Sequence, residues 1–138
     1  MQPYPANVAL TDPRADLHID LETDKCNNMK SGYYCLSKVI VTYRGTKVTL
    51  SGSSVTVRTN GGDTSDLSAD IDNKPYHTKH IYIKAPSRQY RLVKGFGFKI
   101  LYDQKRALYV YLAPYFAKKV CWVQKTVLHI LISEHPGI

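Results

Sequence analysis

Apolar side chains in this sequence fall on every second residue, and that period restricts the chain to β-strands more firmly than any other feature. Phe98-Lys99-Ile100-Leu101-Tyr102 and Leu108-Tyr109-Val110-Tyr111-Leu112 show it most clearly, with Asp103-Gln104-Lys105 between them as a turn. Side chains of like parity share one face of a strand. Phe98, Ile100 and Tyr102 should therefore pack with Leu108, Val110 and Leu112 as the centre of a core. No stretch before residue 122 sustains a helical period.

The pattern repeats along the chain. Leu17, Ile19 and Leu21 alternate with polar residues, and that polar face forms an acidic patch with Asp12, Asp16 and Asp24. Residues 39–43, 47–51 and 54–58 read as three short strands of a meander, joined at Arg44-Gly45-Thr46 and Gly52-Ser53. Residues 60–74 read as a polar loop. Its four aspartates, Asp63, Asp66, Asp70 and Asp72, lack the alternating spacing and closing Glu of a calcium loop. Strands resume over residues 80–84, stop at Ala85-Pro86-Ser87, continue at 90–93, and end with a short one at 119–121. A chain of 138 residues fits one domain, and its 11 Tyr against 3 Phe and 1 Trp favour strands and surface contacts. The longest apolar run, residues 126–132, is far too short for a membrane-spanning helix. The expected fold is all-β: an antiparallel sandwich of two sheets.

Charge divides the chain. Residues 1–73 hold seven basic and nine acidic side chains, whereas residues 74–138 hold twelve basic and two acidic ones, Asp103 and Glu134. A basic half of this kind invites nucleic acid, anionic lipid, or sulfated and sialylated glycans. Lys84, Arg88, Arg91, Lys94, Lys99, Lys105 and Arg106 would carry such polyanion contacts. The plainer reading is a solvated basic face. Lys94-Gly95-Phe96-Gly97-Phe98 copies the first five positions of an RNA-recognition signature, but Lys99 and Leu101 break its later positions. The companion-like run Ile81-Tyr82-Ile83 lies only ten residues upstream, too near for an intervening helix and strand. Nucleic acid is thus an unexpected partner, and Phe96 and Phe98 read as a core pair beside a glycine bulge.

Reactive motifs are missing from the sequence: there is no Gly-x-Ser-x-Gly elbow, no phosphate-binding glycine loop and no His-Glu-x-x-His. Cys26, Cys35 and Cys121 form no Cys-x-x-Cys pair, and the five His are scattered, so no zinc spacing exists. Cys121 with His77, His80 or His129 could form a thiolate–imidazole pair, but structural cysteines fit a β-rich chain better. The expectation is a protein that is not an enzyme and holds no metal. Met1-Gln2-Pro3-Tyr4-Pro5 has neither a basic start nor an apolar run, so no secretory signal is expected in this chain.

Four stretches, taken in order, resemble a von Willebrand factor type D domain. Residues 17–26 resemble the family's strand that ends in a cysteine, and Cys35 with Lys38-Val39-Ile40-Val41 its second cysteine and following strand. Gly97-Phe98-Lys99-Ile100-Leu101-Tyr102-Asp103 resembles the family's hairpin, and residues 109–121 its ending at Lys119-Val120-Cys121. The resemblance covers about residues 7–121, giving a partial type D-like domain over 1–121 and a tail over 122–138 that is not family-like. It implies a non-enzymatic extracellular module, structural or adhesive, of a mucin-like or matrix protein that assembles into multimers. It also implies a local disulfide between Cys26 and Cys35, with Cys121 as a free or intermolecular thiol. Cys121-Trp122-Val123-Gln124-Lys125 stands where the family continues toward its calcium loop, so no calcium or other cofactor is expected. Residues 123–132 would either expose a β-prone edge or pack against the domain as an extra strand or short helix that buries Cys121.

Overall fold

The computed structural model describes residues 7–12, 17–25, 34–105, 107–113, 121–122 and 128–132; for 7–12, 25, 34, 121–122 and 128–132 it describes the backbone alone. The described residues form thirteen strands and no helix, in two sheets. The first sheet is built by β1 (Asn7–Asp12), β2 (Leu17–Lys25), β3 (Tyr34–Tyr43), β4 (Thr46–Ser51), β5 (Ser54–Arg58) and β6 (Thr64–Asp66), each hydrogen-bonded to the next. The second runs from β7 (Tyr76–His77) through β8 (Tyr82–Ser87), β9 (Tyr90–Gly95) and β10 (Phe98–Tyr102) to β11 (Leu108–Leu112). The chain then returns to the first sheet as β12 (Cys121–Trp122) beside β1, and closes the second as β13 (Leu128–Ile132) beside β11.

Turn chemistry explains the meanders. Arg44 and Gly45 both have positive φ, 49° and 82°, which gives the twist that a two-residue hairpin between β3 and β4 requires. Gly52, at φ 56°, does the same at the first position of the β4–β5 turn. Between β9 and β10 the loop is Phe96-Gly97, with Gly97 at φ 87°.

The core lies between the inner faces of the sheets, as the alternation requires. Phe98, Ile100, Tyr102, Leu108, Val110 and Leu112 are all at most 1% exposed and face Val39, Val41, Val48 and Leu50 of the first sheet within one cluster. The register Phe98↔Leu112, Ile100↔Val110, Tyr102↔Leu108 is the one that parity demands. The Tyr43 ring meets Phe98 edge-on at 4.9 Å between centroids. Polar ties cross the sandwich as well. The Tyr102 hydroxyl donates to the Leu36 carbonyl at 2.5 Å, and the Leu36 N–H donates to the Lys105 carbonyl at 2.7 Å.

Four expectations change. β8 continues through Pro86 to Ser87, because the β8–β9 register slips between Lys84 and Ser87 and asks no N–H of the proline. Phe96 is 72% exposed and not a core partner of Phe98: it occupies the two-residue loop, where strand parity ends. The polar 60–74 segment contains β6, a three-residue edge strand with all its side chains exposed. The tail, open between two readings, provides β13 as an added strand. It pairs with β11 in parallel over five residues, Leu108↔Leu128 to Leu112↔Ile132, so this one pair departs from the antiparallel rule. The excursion through β12 supplies the long crossover that a parallel pair needs.

Candidate functional site

The outward face of the second sheet is the chemically distinctive surface. None of the strands β7 to β11 contains Asp or Glu. Outward positions alternate with the buried ones, which turns Tyr82 and Lys84, then Leu92 and Lys94, then Lys99 and Leu101, then Tyr109 and Tyr111 away from the core. The register aligns His77, Tyr82, Lys94, Lys99 and Tyr111 in one row across five strands. Lys94 and Lys99 thus stand directly opposite each other, a like-charge pair that costs stability. Lys99 Nζ lies 4.6 Å from the centroid of the Tyr111 ring, whose negative face offsets part of that repulsion.

Two hollows flank this lysine pair. The larger, about 540 Å³, is bordered by His77, Lys79, His80, Tyr82, Lys94 and Phe96 at the β7 edge. The smaller, about 250 Å³, lies over Leu92, Lys99, Leu101 and Tyr111. In the larger one the His77 ring sits 4.5 Å from the Tyr82 ring, and His80 meets Tyr43 edge-on at 6.4 Å. Gly95 lets the chain pass over the core here: a Cβ on it would collide with the Phe98 ring.

The candidate polyanion contacts do not all fall on this face. Lys84, Lys94 and Lys99 do. Arg88 is exposed in the β8–β9 turn, where its carbonyl accepts from Gln104 Nε2, and Lys105 is exposed in the β10–β11 loop. Arg106 lies outside the described residues. Arg91 leaves the set, because it is 2% exposed and points into the sandwich. Its Nη1 donates to Asp72 Oδ1 at 3.0 Å and its Nη2 to the Ser53 carbonyl at 3.2 Å, so it ties the second sheet to the first. Lys79 escaped the sequence reading, which weighed His77 and His80 only as partners of Cys121 and Phe96 only as a core residue, although a phenylalanine between two glycines is a loop signal.

Cys35 is disulfide-bonded. Cys26 lies outside the described residues, and of Cys121 only the backbone, opposite Thr11, is described. Cys121 belongs to an edge of the first sheet, whereas His77 lies on an edge strand of the second. The aspartates of the 60–74 segment serve local structure. Asp66 Oδ1 accepts from the Ser68 hydroxyl at 2.6 Å and from its N–H at 2.9 Å, which holds the Asp66 carboxyl below the usual range, and Asp72 pairs with Arg91. Among the described residues no three His, Cys, Asp or Glu side chains gather in a metal-binding group, and no helix is long and apolar enough to cross a membrane.

No curated protein matches the chain in direct comparison. The family model for the von Willebrand factor type D domain matches residues 6–121, from just before β1 to the first residue of β12. Members of that family are typically extracellular and mediate multimer assembly. With this match over most of its length and two β-sheets around one core, the chain belongs to the von Willebrand factor type D domain family.

Proposed function

We propose that the chain acts as a non-enzymatic structural or adhesive module of a secreted, mucin-like or matrix assembly, with residues 122–138 as a tail added to the family domain. The family match carries this reading. The disulfide at Cys35 agrees with it, since such bonds persist in oxidising compartments. Strand register supports Cys26 as the partner of Cys35. Cys35 stands opposite Asp24, two residues before Cys26. Cys121 stands opposite Thr11, and Thr11 opposite His18. From His18 to Asp24 along β2 is about 20 Å, well past the roughly 7 Å that a disulfide spans between Cα atoms. Cys121 is then available as the intermolecular thiol. Secretion of the chain from cultured cells, followed by non-reducing peptide mapping and gels, tests this: a Cys26–Cys35 peptide and reducible dimers that Cys121→Ser abolishes are expected. Only monomers, or a Cys35–Cys121 peptide, would refute it.

A second reading is favoured by the acid-free outward face of the second sheet: the domain binds polyanions there. Elution from immobilised heparin that shifts to lower salt in Lys84→Gln, Lys94→Gln and Lys99→Gln variants is expected. Passage through the column at low salt would dismiss it.

A further inference from the structure

We propose that the hollow beside Phe96 is a subsite for an acidic sugar: a pyranose bearing a carboxylate or sulfate, with its ring against Phe96 and its anionic group on Lys94 and Lys79. This rests on the polyanion reading of the same face and gives it a ligand and an orientation.

Three observations converge on it. The first is the exposure of Phe96. At 72% it is the one large hydrophobic side chain among the described residues that stands out in solvent. Its place in a two-residue loop, over a Gly97 with positive φ, fixes it at the rim of the hollow and away from the core. A flat apolar ring at a rim is suited to the C–H face of a sugar, and an exposed apolar group beside a cavity marks a contact site.

The second observation is the polarity of the lining. Lys79, Lys94, His77 and His80 border the hollow, and no carboxylate does. Ammonium and imidazole N–H groups are donors suited to an anionic oxygen and to sugar hydroxyls. At about 540 Å³ the hollow lies within the size range of small-ligand sites.

The third is continuity. Lys94 borders this hollow and Lys99 the next one, and the two are cross-strand neighbours. A chain of acidic sugars extending from Phe96 across the sheet would meet Lys94, then Lys99, in step with the strand spacing of about 4.8 Å. The first sheet offers a contrast. Its opposed pair Lys47 and Arg58 borders a hollow of about 270 Å³ that has no aromatic side chain in its lining.

The same features disfavour single-stranded nucleic acid, which is held by successive bases stacked on several exposed aromatic rings. The tyrosines of this face are half-buried, and Phe96 is the one aromatic ring among them that is mostly exposed.

The test is calorimetric titration of the intact chain with a heparin-derived hexasaccharide, 3′-sialyllactose, lactose and a twelve-residue oligothymidylate, at low and at physiological salt. Binding of the sulfated or the sialylated sugar, but not of lactose, is expected, and the tighter of the two identifies the anionic group. Phe96→Ala and Lys94→Gln should each weaken that binding about tenfold, the size of one good contact. Lys47→Gln should leave it unchanged. Thermal unfolding of each variant verifies that its fold is intact. If acidic sugars bind but Phe96→Ala has no effect, the subsite is wrong while the polyanion reading stands. Equal or tighter binding of the oligonucleotide overturns the sugar assignment, and binding of none of the four overturns the subsite and the polyanion reading together.

Discussion

Replacing Tyr102 by Phe should change the stability of this domain by an amount that depends on pH in a defined way. The ring is fully buried between the sheets, and its hydroxyl donates to the Leu36 carbonyl. Burial is the main reason its pKa is pushed up to about 12; the Asp103 carboxylate adds to the rise, and a hydrogen bond from the Gly52 backbone works against it. In the unfolded chain the group titrates near pH 10. Below about pH 10 both states keep the proton, and the phenylalanine variant loses only the hydroxyl's hydrogen bonds to Leu36 and Gly52, about 1–2 kcal/mol. Between about pH 10 and 12 the unfolded chain releases the proton while the folded one holds it, so the wild-type protein weakens as pH rises. The slope is about 1.4 kcal/mol per pH unit, and the two-unit window limits the loss to about 3 kcal/mol. The variant lacks that slope, so its deficit should shrink from pH 9 upward and change sign by about pH 11–12. Urea unfolding followed by far-ultraviolet circular dichroism at pH 7, 9, 10 and 11.5 measures the difference, and the other ten tyrosines act as a common background. A deficit that stays constant from pH 7 to 11.5 would refute the reasoning, because it would mean that Tyr102 titrates alike in both states.

Two further perturbations test the packing. Gly95→Ala places a Cβ within the Phe98 ring and should destabilise the domain by about 1–3 kcal/mol, read as a lowered urea midpoint with unchanged slope. Asp72→Ala leaves the buried Arg91 guanidinium without its carboxylate; because the Asp72 side chain is one-third exposed, about 2–3 kcal/mol is expected, less than for a wholly buried pair. Arg91→Met should cost less than Asp72→Ala, since it removes the charge along with the partner, and the reverse order would refute the clamp.

Parity made much of this fold legible, and residue type obscured part of it. The β10–β11 hairpin could be read because alternation and turn residues agree over a short span. Arg91 was legible by the same rule: it shares parity with Val93, and both are buried. The habit that arginines are exposed outweighed the pattern, because its carboxylate partner lies 19 residues upstream, in a segment that reads as an ordinary loop. Phe96 failed in the opposite direction. Parity placed it beside Phe98, but parity has no meaning across a two-residue turn. The contact of Tyr102 with Leu36 spans 66 residues, and nothing local encodes it. The return of the chain through β12 to a parallel β13 likewise depends on the whole sandwich.

The outer faces of the two sheets manage charge differently, and that difference yields a prediction in which stability and binding part company. On the first sheet acidic side chains stand among the basic ones: Lys38 Nζ lies 3.9 Å from Glu22 and His18 Nε2 lies 3.2 Å from Asp20, although Lys47 stands opposite Arg58. Exposed pairs of this sort contribute at most about 1 kcal/mol, so pairing is cheap to arrange and its absence elsewhere is not forced by the fold. The second sheet sets Lys94 against Lys99 with no acidic side chain on any strand from β7 to β11. Lys94→Glu would convert that repulsion into a cross-strand attraction, and it should raise stability by about 0.3–1 kcal/mol at low salt, fading as salt is added. The same change places a negative charge between the two hollows, so affinity for acidic sugars should fall further than in Lys94→Gln. Parallel urea and calorimetric titrations of the two variants decide the matter. If Lys94→Glu is less stable than the wild type, the lysine pair is not strained; if it still binds acidic sugars as Lys94→Gln does, the face is not held basic for a ligand.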